Sequence, residues 1–324
     1  MMLNSTKLLM TNSLMIGVIM TICSNNWISM WMGMELSLLS FIPLMKSKSK
    51  SSSQSMIKYF IMQSVASTLF LFSVIFMLIG VNMMNEMLMT ISMLIKLGSA
   101  PFHNWLLMII ESIEYLYMFI MLTILKIPPL SILYQINTNM LVIPIVISMI
   151  ISSISSLNQS SIRKILGYSS IYNMSLMMSS INNLKTTLIF ILVYSINTMM
   201  VILVMKLNKI NFINQIVFND FKIWMKINVW INMLSMGGFP PTMGFLTKLL
   251  IIQNLLMNGQ LLIVSILIMT SMLVLMFYTR VAFSSMMTSL TFKKWSLMYS
   301  KPINYLLVSS LLVFPMMLSM SITI

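Results

Sequence analysis

Residues 234–251 read LSMGGFPPTMGFLTKLLI, a stretch apolar enough for a bilayer that nonetheless holds glycines, a proline pair and a lysine, Lys248. Proline removes a backbone donor and glycine loosens the helical ladder. Non-helical backbone at membrane depth survives only where it packs inside protein or lines water, so this stretch reads as a discontinuous transmembrane helix. IKLGSAPFHNW, residues 95–105, repeats the pattern beside a second lysine, Lys96. A simple proline kink in a packed helix is the alternative for either segment alone. A breaker next to a lysine, occurring twice, favours an ion site.

The rest of the chain fits that reading. Hydrophobic residues make up 59% of the 324 and charged residues only 7%, with a mean hydropathy of +0.96. Apolar character runs through the chain rather than in stripes, which excludes an amphipathic soluble fold. Continuous runs such as ILIMTSMLVLMFY, residues 266–278, exclude the alternating segments of a transmembrane barrel. The expected fold is an all-α polytopic membrane protein, a single domain over 1–324, with two discontinuous helices. Spans are expected near 7–24, 27–45, 57–80, 87–110, 116–135, 139–157, 164–182, 185–207, 223–257, 260–281 and 303–323, eleven crossings with the termini on opposite sides.

Charge gives an independent check, because loops on the synthesis side carry excess Lys and Arg. With the N-terminal side labelled inner, Lys7, Lys46, Lys48, Lys50, Lys58, Arg163, Lys164, Lys206, Lys209, Lys222, Lys226, Arg280, Lys293, Lys294 and Lys301 fall in inner loops or helix ends. Lys185 alone falls outside, and Lys96, Lys126 and Lys248 remain at mid-span. One span added or dropped mid-chain would scramble that partition of all 19 basic residues. KSKSKSSSQS, residues 46–55, reads as a solvated inner loop.

A charge at the centre of a bilayer costs at least about 2.5–3.5 kcal/mol. Three mid-span lysines and the one mid-span acid, Glu35, therefore point to ion translocation, with protons the simplest cargo. A lysine in hydrocarbon holds its proton weakly and a nearby carboxylate restores the hold, so Glu35 and Lys96 would form a switch. Lys126 and Lys248 would extend a relay with His103, whose ordinary pKa suits proton exchange. The structural alternatives are snorkelling lysines, a contact-making Glu35 and a His103 that bonds freed carbonyls. Glu111 and Glu114 are expected to face water at a helix end.

The net charge of +14 is scattered over short loops, which makes nucleic acid an unlikely partner beside the lipid bilayer. One cysteine, Cys23, and one histidine cannot alone supply an iron-sulfur cluster or a metal site, and no nucleotide-binding loop is present. No cofactor or metal is expected on this chain. The N-terminus lacks an Arg-rich amphipathic leader and reads as a retained span. With 42 methionines and scarce Ala and Gly, the composition looks like that of an AT-rich mitochondrial gene.

WMGMELSLLSFIPL, KYFIMQSVAS, IKLGSAPFHNW, LKIPPLSIL, LNQSSIRKILGYSSI and LSMGGFPPTMGFLTKLL carry a resemblance that runs nearly end to end. In order and spacing they resemble the family of subunit 2 of mitochondrial NADH:ubiquinone oxidoreductase, respiratory complex I, insect forms especially. The resemblance implies an antiporter-like, proton-pumping module of inverted five-helix repeats in the mitochondrial inner membrane, its N-terminus on the matrix side. In it Glu35 and Lys96 form the switch, Lys126 connects and Lys248 passes protons outward. NADH, FMN, iron-sulfur clusters and ubiquinone would belong to the parent complex, whose other membrane-arm subunits would be its partners in place of a homo-oligomer. The chain departs from the family pattern at Asn173, where a histidine is expected, at Asn104 before Trp105, and at Glu111, which lacks a preceding proline. A stand-alone cation/proton antiporter and an inert membrane-arm spacer are the competing functions.

Overall fold

The structure, a computed structural model, describes residues 5–47, 49–80, 82–136, 139–218 and 223–287. The expected span at 303–323 and Lys48, Lys222, Lys293, Lys294 and Lys301 lie outside the described residues. Two compact units divide the chain, 1–148 and 149–324.

The first unit holds α1 (Ser5–Cys23), α2 (Trp27–Leu44), α3 (Lys50–Ile79), α4 (Asn82–Leu97), α5 (Asn104–Ser112), α6 (Tyr115–Leu122) and α7 (Ile127–Ile136). A 3₁₀ turn, Ile124–Lys126, joins α6 to α7, and the boundary between units falls within α8 (Val142–Leu157). α1 and α2 pack backbone to backbone: a methyl on Gly17 would come within 2.8 Å of the Gly33 carbonyl, and one on Gly33 within 2.8 Å of the Gly17 carbonyl. Small residues allow that approach where apolar lipid offers no hydrophobic drive. Phe41, Tyr59 and Trp105 interlock α2, α3 and α5, with ring centroids 5.3 and 6.1 Å apart.

The second unit holds α9 (Ile162–Ser179), α10 (Leu184–Asn208), α11 (Ile213–Phe218), α12 (Ile223–Gly237), α13 (Met243–Met257) and α14 (Leu261–Met287). α9 is its centre, with all but three of its 18 residues buried. Its serines Ser169, Ser170, Ser175 and Ser179 each donate to the carbonyl three residues back, which satisfies their hydroxyls inside an apolar bundle.

Among the described residues, six helices are long and apolar enough to cross a membrane, including α1, α2, α3, α10 and α14. The sixth is the run Tyr115–Ile136, and α8 and α13 are shorter apolar helices. Their outer faces carry large apolar side chains, as in the α14 stripe Met269, Met272 and Met276, each more than 60% exposed. This is the pattern lipid requires and water would penalise. The fold is that of an all-α polytopic membrane protein.

Some basic residues expected on one side lie near one another within each unit, whereas Lys226, expected at a helix end, is buried. Lys7 lies over the Tyr117 ring at 5.4 Å, which brings the start of α1 to that of α6, and Lys58 of α3 donates to Met108 Sδ of α5 at 3.8 Å. Glu111 and Glu114 at the α5–α6 link are exposed. In the second unit the amide of Ile162 donates to Asn211 at 3.0 Å, so Arg163 and Lys164 share an end with Lys206 and Lys209. One expectation fails: residues 50–55 are not a solvated loop but the first turns of α3. Ser52, Ser53 and Ser55 return their hydroxyls to carbonyls at i−3, and Ser52 and Ser55 are buried.

Candidate functional site

IKLGSAPFHNW folds as the first break. Gly98 takes φ +66°, its amide donates to Ile95 at 3.1 Å and that of Ser99 to Leu94 at 3.2 Å. These paired bonds are a Schellman ending, which needs a left-handed residue after the helix. Two carbonyls at the ending find side-chain donors: Trp105 Nε1 adds a second bond to Ile95 O at 3.1 Å, and Gln63 Nε2 reaches Lys96 O at 3.3 Å. The peptide bond from Ala100 to Pro101 is cis. His103 sits at the N-cap of α5, half-buried, with its carbonyl accepting from the Leu106 amide.

Lys96 is the penultimate residue of α4 and is 8% exposed. Its ammonium donates to Met34 Sδ at 3.4 Å. Glu35, the next residue on α2, is within electrostatic reach of both Lys96 and Tyr59, yet its Oε1 is buried with no hydrogen-bond partner. Beside the ammonium opens a cavity of about 30 Å³ lined by Met34, Tyr59, Gln63, Lys96, Trp105 and Lys126, among others. That is room for roughly two waters with polar partners on several sides.

Lys126 reaches the cavity through a third interruption. Pro128 and Pro129 have no amide to donate, so the helix from Tyr115 gives way at Thr123 to the 3₁₀ turn and restarts as α7. The Thr123 hydroxyl donates to Phe119 O at 2.8 Å, and Lys126, 5% exposed, ends the turn. Two lysines from different elements therefore face one small polar cavity. Glu35 and His103 are not among its lining residues.

LSMGGFPPTMGFLTKLLI folds as the second break and ends α12 with the same motif. Gly238 takes φ +80°, its amide donates to Ser235 at 3.2 Å and that of Phe239 to Leu234 at 3.1 Å. Here the lysine itself caps the broken end: Lys248 Nζ on α13 donates to Gly237 O at 2.7 Å. A cation at a helix C-terminus is held by the carbonyl dipoles as well as by the bond. Its other side lies over the Tyr172 ring at 5.6 Å. Gly244 lets α13 come this close, since a methyl there would collide with the Ser235 carbonyl oxygen. A cavity of about 20 Å³, room for one water, is lined by Lys248, Asn173, Tyr194, Asn197, Ser235 and Thr247, among others.

The expected site residues thus fall into two groups, one in each unit. Lys96 and Lys126 share a cavity with Glu35 and His103 nearby in the same unit, and Lys248 has its own, with Asn173 on its wall. Sequence reasoning missed Met34, Gln63 and Trp105 at the first break and Tyr172 at the second. Gln63 carried a readable signal, an amide inside the apolar run KYFIMQSVAS. Met34 carried none.

Broken helices with lysines at the breaks, inside an all-α bundle with lipid-facing flanks, define an antiporter-like membrane subunit. The family described as NADH:quinone oxidoreductase/Mrp antiporter, TM, matches residues 24–274. NADH-ubiquinone oxidoreductase chain 2 of Anopheles gambiae is 37% identical over 297 residues, 88% of this chain and 87% of that one. Its counterpart in Didelphis virginiana is 35% identical over 336 residues, 95% and 96% of the two chains. Among solved structures, respiratory complex I from Thermus thermophilus with bound aureothin superposes with a TM-score of 0.83 at 17% identity, over 96% of this chain and 77% of that one. The Mrp complex from Dietzia sp. DQ12-45-1b gives 0.76 at 16%, over 84% and 59%. At such identities the two structures speak for the fold alone. The chain belongs to the NADH-ubiquinone oxidoreductase chain 2 family.

Proposed function

We propose that this chain is a proton-translocating membrane-arm subunit of NADH:ubiquinone oxidoreductase. The observation that carries the reading is the pair of buried lysines, Lys96 and Lys126, facing one cavity large enough for water. Buried ammonium groups that touch water can release and regain protons, while lysines packed dry against lipid cannot. In this reading Glu35 sets the charge on Lys96 by approach and withdrawal. Lys126 passes the proton on, Lys248 in the second unit releases it, and His103 exchanges protons at the break. The whole chain, 1–324, acts as one antiporter-like domain.

On this proposal the chain holds no redox centre of its own. Electrons pass from NADH through FMN and iron-sulfur clusters to ubiquinone in other subunits of the parent complex, and this bundle converts the released energy into proton movement. The complex sits in the mitochondrial inner membrane, with the N-terminus of this chain on the matrix side.

Extraction in mild detergent tests the assignment. Co-migration of the chain with flavin and iron-sulfur subunits, and proton pumping on NADH addition after reconstitution, is the expected result. Isolation as a lone oligomer that exchanges cations for protons without any electron donor would establish the stand-alone antiporter instead.

A further inference from the structure

Two neighbouring residues of α2 act on the same ammonium, Met34 through a hydrogen bond and Glu35 through its charge. Met34 Sδ holds Lys96 Nζ at 3.4 Å, while the Glu35 Oε1 beside it is buried and unbonded. Met34 is 3% exposed and lines the cavity that Lys96 shares with Lys126, whereas Glu35 does not line it. A neutral thioether is a weak acceptor, so it can hold the ammonium without trapping it; a carboxylate holds it strongly. We propose that Met34 is a positioning residue, a neutral seat that keeps Lys96 turned toward the Lys126 cavity and away from Glu35. Lys96 then has two places on α2, and the side chain at 34 sets how its population divides between them.

The inference rests on reading Lys96 as the proton carrier. Methionine has the right properties for the seat. Its long, unbranched side chain reaches the break without a charge to desolvate, and its volume is nearly that of leucine, which makes Met34→Leu a clean deletion of the acceptor. The competing description is that Met34 only fills space, in which case leucine serves equally well.

The test uses the assembled, reconstituted complex carrying Met34→Leu, Met34→Gln or Lys96→Met. Each is measured for proton-to-electron ratio and coupled turnover, and a density map locates the Lys96 side chain. With Met34→Leu, Lys96 is expected against Glu35, and coupled turnover is expected to fall about fivefold, the scale of one lost hydrogen bond. With Met34→Gln, whose amide oxygen is a stronger acceptor of similar reach, Lys96 is expected to stay at residue 34. Met34→Leu with Lys96 unmoved and parental turnover would overturn the proposal. If Met34→Leu does not assemble, Met34→Gln decides: Lys96 moved onto Glu35 in that variant overturns it, and Lys96 at the amide supports it. Lys96→Met separates the two levels. Full pumping in that variant sinks the carrier reading itself, whereas lost pumping there with an unaffected Met34→Leu sinks only the seat.

Discussion

At the residue scale, the two lysines at helix breaks are held differently, and substitutions should separate them. Lys248 satisfies the released carbonyl of Gly237 and rests on Tyr172. Lys248→Met should therefore cost stability as well as transport, about 1–3 kcal/mol for a buried acceptor left unmade, read as reduced recovery of assembled complex. At the first break Trp105 and Gln63 already satisfy the carbonyls. Lys96→Met should consequently leave assembly near normal. Glu35→Gln should impair proton transfer as Lys96→Met does, and Glu35→Asp should impair it less if the carboxylate charge is what acts; equal, severe assembly loss in both Glu35 variants would mark a structural contact instead. Lys96, Lys126 and Lys248 were legible in the sequence because a charge inside an apolar span costs energy and stands out. Met34 was not, since nothing in a chain with 42 methionines says which one meets an ammonium.

At the element scale, the breaks depend on glycines for different reasons. Gly98 and Gly238 take left-handed backbone, and an added methyl would also press on Leu106 at 2.9 Å and on Lys248 Nζ at 2.9 Å respectively. Alanine at either should cost about 1–2 kcal/mol in backbone strain alone, and Gly238→Ala should further displace the ammonium. Gly259 is also left-handed, at φ +70°, with nothing within 4 Å of an added methyl. Thermal stability of the detergent-extracted complex should then rank Gly259→Ala above Gly98→Ala, with Gly244→Ala lowest because its clash is with backbone; a Gly244→Ala variant as stable as the parent would refute the close approach of α12 and α13. Both breaks were legible from Gly and Pro in otherwise apolar runs. The interruption before Lys126 was legible only in part: Pro128 and Pro129 announce it, yet proline is also welcome at the start of a helix. The start of α3 at Lys50 was hidden, because a serine run reads as loop until its hydroxyls are seen returning to i−3 carbonyls.

At the scale of the whole molecule, the partition of basic residues predicts which groups share a side of the membrane. A membrane-impermeant amine label should reach Lys7 and Lys209 from one face and Lys185 from the other, and labelling of Lys185 together with Lys7 from a single face would break the expected topology. The all-α polytopic fold was legible because lipid leaves so few ways to satisfy a backbone. The division of the site between two units was not, since spacing along a chain says nothing about which lysines share a cavity. All of this turns on Lys96 carrying protons through a wetted cavity. The decisive measurement is the proton-to-electron ratio of the reconstituted, fully assembled complex bearing Lys96→Met: a lowered ratio is expected, and a ratio equal to that of the parent would rule the role of Lys96 out.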